Sequence, residues 1–214
     1  INVSAASGFV GTISGGITNS GTISAHDTGI GVFHIASFAG GISNAGTITA
    51  GPAGISLSVD NVFGSSSAGG IINSGKIVAH SYGIYLGAQT FLGGITNSGT
   101  IIGGTAIIVG AASFAGAISN SGTISGTGGT AINLNSAPAG ITINQSGGLI
   151  AGQVKLSGND TFNITGGSVA GNIVGSGSTD TVNFNVGTTY TETNKFTGIN
   201  KVNIGNGTTL IVNS

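Results

Sequence analysis

The phrase GGITNSGTI stands at residues 15–23 and returns letter for letter at 93–101. Near copies lie between and after it: GGISNAGTI at 40–48, GGIINSGKI at 69–77 and GAISNSGTI at 116–124. Aligned on its Asn, the phrase marks Asn19, Asn44, Asn73, Asn97, Asn120 and Asn144, in steps of 25, 29, 24, 23 and 24 residues. A second phrase keeps pace, a small residue before apolar–x–apolar: GIGV (29–32), GISL (54–57), GIYL (83–86), AIIV (106–109) and AINL (131–134). A third element is a Phe six residues before the Asn, at Phe38, Phe91 and Phe114, with Phe9 and Phe63 ten residues before it in two longer repeats. Length variation confined to one corner is how loops behave on a regular scaffold.

Within GITNSGTIS (16–24), Ile17 and Asn19 share one face and Thr18 takes the other, while beyond Gly21, Thr22 and Ser24 flank Ile23. That alternation is the period-two signature of short strands with one buried face. Frequent Gly and a surplus of β-branched residues oppose helix. Two or three short strands per repeat, joined by Gly-containing bends, bring the chain back to its starting angle. Successive repeats then pair in parallel, about 4.8 Å apart. The expected fold is all-β, a right-handed parallel β-helix of about nine rungs and on the order of 40 Å long. One rung buries too few aliphatic side chains to offset the entropy of ordering some two dozen residues, so stacking is obligatory. Each Asn is expected to bond its own copies above and below as a structural ladder, and the Phe residues to stack likewise.

After about residue 147 the beat shortens. DTFNI (160–164), DTVNF (180–184) and NKVNI (200–204) are 20 residues apart, and Gly167, Gly187 and Gly207 follow the same interval. Residues 1–146, with rungs of 23–29 residues, and 147–214, with rungs of about 20, read as one continuous body because no linker composition separates them.

Composition narrows the function. The 214 residues include 43 Gly, only 4% charged residues and a net charge of −1, leaving no electrostatic footprint for nucleic acid. An apolar content of 39% opposes disorder, and Gly lacks the collagen period. There is no Cys for disulfide or thiol chemistry, and no apolar run long enough to span a bilayer as a helix. The start, INVSAASGFV, has no basic-then-apolar leader and reads as an internal piece of a longer chain.

Catalysis needs clustered carboxylates or a basic residue beside a metal-binding acid. The chain has four Lys and no Arg, and Asp27 and Asp60 have no acidic neighbour in sequence. Asp160 and Asp180 would stack one rung apart, either as turn residues bonding their own backbone or as a weak calcium pair. His26 and His80 occupy equivalent positions two rungs apart, too far for easy joint ligation, and read as exposed bend residues. No catalytic residue, metal or cofactor is expected. Alternation places Ile72, Val78, Tyr85, Ile102 and Ile108 on outward positions, as a contact patch or as a floor covered by the long loop SVDNVFGSSSA (58–68). An outward Thr column (Thr22, Thr47, Thr100, Thr123) is similar to ice-binding solenoids, but Lys76 interrupts it.

Residues 147–212 carry a more specific pattern. GGLIAGQVKLSGNDTFNITGGSVAGNIVGSGSTDTVNF, followed by FTGINKVNIGNGTTLIV, resembles passenger domains of Gram-negative autotransporters (type V secretion), with filamentous-haemagglutinin-like exoproteins as near neighbours. The GGITNSGTI repeats resemble the upstream solenoid of the same proteins. The resemblance implies a non-enzymatic, adhesin-like β-helical stalk at the cell surface or secreted, at the outer membrane. It touches the membrane only through a translocator barrel outside this chain. Its implied partners are a host-surface protein or glycan, with self-association into a rod as the alternative and a carbohydrate-active β-helix enzyme as a further one. The matched motifs are structural and carry over no catalytic residue.

Overall fold

The computed structural model describes residues 1–4, 12–65 and 69–212. Every regular element among them is a strand, and every strand pairing is parallel. The chain winds as a right-handed β-helix whose longest regular wall stacks nine strands, eight turns from first to last.

Three walls enclose the core. The nine-stranded wall runs from Ile17–Asn19 through Ile42–Asn44, Ile71–Asn73 and Ile95–Asn97 to Lys201–Ile204. A second, bent wall of thirteen strands carries the aliphatic columns; two of its turns are crossed by single long strands, Thr100–Val109 and Thr123–Asn133, whose pairing shifts register between Gly103 and Thr105. A third wall has only five strands, from Thr12–Ile13 to Ser113–Ala115.

Loss of that third wall explains the shorter beat. After Ser113–Ala115 the corner is crossed by the loop 134–140, and from Thr142–Gln145 onward turns replace strands there. Asp160 secures one such turn: its Oδ1 accepts the N–H of Ile141 at 2.7 Å, and its Oδ2 accepts the N–H and hydroxyl of Ser157 at 2.7 and 3.0 Å. Asp180 repeats the device one rung on, taking the N–H of Asp160 at 2.9 Å and that of Ser176 at 3.0 Å. Asn200 then accepts the N–H of Asp180 at 3.0 Å.

Inside, like sits on like. Ile30, Ile55, Ile84, Ile107 and Ile132 form one column in register, all fully buried. Phe38, Phe63, Phe91 and Phe114 stack nearly parallel with centroids 5.2, 5.3 and 5.2 Å apart, so Phe63 joins the column although its loop is longer. Such offset stacks gain beyond the area they bury. Phe9 lies outside the described residues, and the position in line with Phe38 on the first rung belongs to Ile13.

The Asn column is continuous. Nδ2 of Asn19, Asn44, Asn73 and Asn97 donates to Oδ1 of the next Asn at 2.7, 2.8, 2.8 and 2.7 Å. The same nitrogens reach back to the carbonyls of Gly21, Gly46, Gly75 and Gly99, closing the bend two residues on. One buried amide thus satisfies a turn and a neighbour together, as burial demands.

Asn144 corrects the expected ladder. Its position in line with Asn120 is held by Gln145, whose Oε1 accepts Asn120 Nδ2 at 2.8 Å. Ile143 packs in register under Ile118, and strict alternation then turns Asn144 outward. There it begins a second amide ladder. Asn163 donates to Asn144 at 2.9 Å, Asn183 to Asn163 at 2.7 Å and Asn203 to Asn183 at 2.6 Å. The inner ladder donates toward the C-terminal end and the outer one toward the N-terminal end.

Candidate functional site

The five residues expected to form one apolar patch do not share one surface. Ile72 is on the nine-stranded wall between Ser43 and Thr96, 53% exposed beside a shallow groove of about 260 Å³. Val78 stacks on Ile102, and Tyr85 on Ile108, both on the bent wall and all half-buried. Alternation separates inside from outside but does not say which wall a residue faces. The described part of 58–68 supplies the strand Val62–Phe63 to the five-stranded wall, away from the four residues of the bent wall.

Tyr82 adds to this surface, and alternation misses it. The chain bends at His80–Ser81, and Tyr82, the first residue of the strand Tyr82–Leu86, faces outward although Gly83 and Ile84 are both buried. Its ring lies 5.6 Å from that of Tyr85, tilted by 40°. Ile108 stands in register beside Tyr85 on this limb of the wall, whereas Val78 and Ile102 lie on the limb before the bend.

The other candidates are dispersed. The imidazole of His26 touches the carboxylate of Asp27 at 3.5 Å with both side chains almost wholly in solvent. His80 is exposed two rungs away, with Gly51 at the equivalent bend between them. The Thr column is in register from Thr22 to Thr47, then interrupted by Lys76 before Thr100 and Thr123. Among the described residues, no three His, Asp or Glu side chains gather as a metal site would require.

Asp160 and Asp180 are fully buried, and all four of their carboxylate oxygens accept hydrogen bonds from the chain. Calcium would have to displace those donors. Millimolar calcium is therefore expected to leave the melting temperature unchanged. Asp180→Asn, which aims an NH₂ at the N–H of Asp160 or Ser176, should cost about 1.5–3 kcal/mol in a denaturant titration.

One buried cluster had no clear sequence signal. Between Phe184 and Phe196 the chain takes a longer path than between the equivalent Ile164 and Ile173, and among the described residues the strand Thr189–Glu192 pairs only with Thr209–Val212. The gap to the preceding rung is bridged by side chains. Tyr190 Oη accepts the N–H of Val169 at 3.2 Å, and Asn194 Nδ2 donates to the Val169 carbonyl at 3.0 Å. Glu192, 1% exposed, accepts the N–H and Nδ2 of Asn194 through Oε1 at 2.9 and 2.8 Å, while its Oε2 has no hydrogen-bond partner among the described residues.

Burial, reinforced by the Glu192 charge, raises the Tyr190 phenol above its usual 10.0, although the Val169 N–H pulls the other way. An unfolded chain therefore releases this proton first as the pH rises. The contribution to stability is complete below about pH 10 and declines above it toward the folded-state pKa. Urea midpoints measured from about pH 9 to about pH 11 should fall less steeply in Tyr190→Phe than in the parent. Tyr190→Phe should also lose about 1–3 kcal/mol at neutral pH through the abandoned Val169 N–H.

No family model, curated protein or solved structure matches this chain. The autotransporter resemblance therefore rests on sequence phrases alone, those of residues 147–212 and the GGITNSGTI repeats before them.

Proposed function

We propose that this chain is a non-enzymatic, surface-displayed β-helical stalk with an adhesive role, of the kind found in passenger domains of Gram-negative autotransporters. The observation that carries this reading is where the polar chemistry goes. The inner amides are tied into the ladder from Asn19 to Gln145, and Asp160 and Asp180 hold turns. These groups build a rod and are not arranged around a substrate. What faces outward is mostly hydroxyl, amide and Gly, with an aromatic and aliphatic face on the bent wall. Such a body spaces a contact surface away from its anchor. Its ligand is a host or neighbouring-cell surface, and its location at the outer membrane follows from the same resemblance.

The test is adhesion by the purified chain. Fluorescent beads coated with it should bind epithelial or bacterial cells more than beads coated with an inert protein. Equal binding on every cell type tried overturns the adhesive reading. Saturable turnover of any polysaccharide in a lyase or hydrolase screen overturns the non-enzymatic one.

A further inference from the structure

We propose that Tyr82 and Tyr85 form a binding platform for a neutral oligosaccharide, spanning at least two sugar units. The assignment rests on the adhesive reading and names the ligand class of that surface. Only three tyrosines and no tryptophan occur in the chain. Tyr190 is buried, whereas Tyr82 is 37% exposed and Tyr85 half-buried beside it. Their centroid spacing of 5.6 Å is close to the length of one pyranose, and the 40° tilt opens the two faces as a shallow cradle. Tyrosine offers a large apolar face and a polar edge with few torsions to freeze, which suits a ligand having C–H faces and hydroxyl rims.

The platform is held in place before any ligand arrives. Tyr85 lies across Gly87, where an added methyl would stand 3.0 Å from the ring and 3.4 Å from its hydroxyl. Ser56 and Ile108 flank Tyr85 on adjacent rungs, and Ala53 and Thr105 flank Tyr82. A rigid aromatic pair among hydroxyl-bearing neighbours reduces the ordering cost of binding.

Charge selects the class of sugar. The outward column through Tyr85 runs Gly31, Ser56, Tyr85, Ile108, Asn133 and reaches its first ionisable residue only at Lys155, three rungs on. His80 borders the pair, and Lys76 stands at the start of the adjoining strand Lys76–Ala79. Two tyrosines without a cluster of cations give an acidic glycan or nucleic acid no counter-charge, whereas a neutral sugar needs none.

Tyrosine emission reads the site directly, because the chain has no tryptophan. The probes are cello-, malto-, manno- and chito-oligosaccharides from one to four units, with tetragalacturonate as the acidic control. At least one neutral series should shift the emission saturably, with its tetramer about tenfold or more tighter than its monomer. Tyr82→Ala and Tyr85→Ala should each weaken binding about tenfold, while the Phe variants stay within about threefold. Melting curves of the Phe variants should match the parent, whereas Tyr85→Ala, which removes a half-buried ring from Gly87, should melt somewhat lower while remaining folded.

Silence from every neutral series overturns the proposal, as does a preference for tetragalacturonate or binding undiminished in both Ala variants. Bead adhesion distinguishes this failure from failure of the adhesive reading. If beads coated with the double variant adhere as well as the parent and no sugar binds, the stalk remains adhesive and the tyrosine assignment falls. If a sugar binds through the pair while parent beads do not adhere, the platform stands and the adhesive role falls.

Discussion

Gly99→Ala should abolish the native fold or destabilise it by more than about 4 kcal/mol, while Gly21→Ala at the equivalent bend should be nearly silent. The two glycines share a column with Gly46, Gly75 and Gly122, one per rung. A methyl added at Gly99 would fall deep inside the radius of the Gly75 carbonyl oxygen, whereas one added at Gly21 meets nothing within 4 Å among the described residues. That carbonyl already accepts the Thr100 N–H at 2.9 Å and Asn73 Nδ2 at 3.3 Å. Backbone cannot rotate away as a side chain can, so the rungs must separate and those bonds lengthen. Gly46, Gly75 and Gly122 meet the same obstruction from the rung before them. Equal melting temperatures for the two variants would show that the rungs do not approach as closely as the column requires.

Asn97→Ala should lose about 3–5 kcal/mol, and Asn97→Asp more than that at neutral pH. Asn97 accepts from Asn73 at 2.8 Å and donates to Asn120 at 2.7 Å, to Thr123 O at 3.0 Å and to Gly99 O at 3.2 Å. Alanine strands the Asn120 oxygen in the core and leaves a void. Aspartate fills the void but turns a charged oxygen toward three acceptors, so it repels where asparagine donates. Side-chain volume alone would rank Asp close to Asn. Denaturant titration that finds Asp milder than Ala would mean that packing, and not donation along the column, holds the site.

Repetition made the interior legible. Each inward Ile, Phe and Asn packs on its own copy, so a column in space is a spacing in sequence. Legibility stopped where a column changes residue or wall. Gln145 replaces Asn through one added methylene, and alignment on the letter Asn chose the outward Asn144. Aligning on the following Ser-Gly of 146–147 selects Gln145 instead. The outer ladder was visible as the fourth letter of DTFNI, DTVNF and NKVNI, but only the rung spacing marks those residues as stacked. Ile72 fell on a different wall from Val78 because bends, not alternation, set direction. Tyr82 escaped notice because the bend at Ser81 breaks the alternation around it. The Tyr190–Val169 bridge depends on an excursion whose length is readable and whose path is not.

Ending the third wall partway along the body gives the rod a mechanical grain. Rungs after Gln145 hold 19 or 20 residues and lack a strand that most earlier rungs of 23–29 possess. A molecule pulled by its two ends should therefore peel from the narrow end first. Each early step would release about 70 Å of chain, and later ones about 80–100 Å, at roughly 3.5 Å per residue.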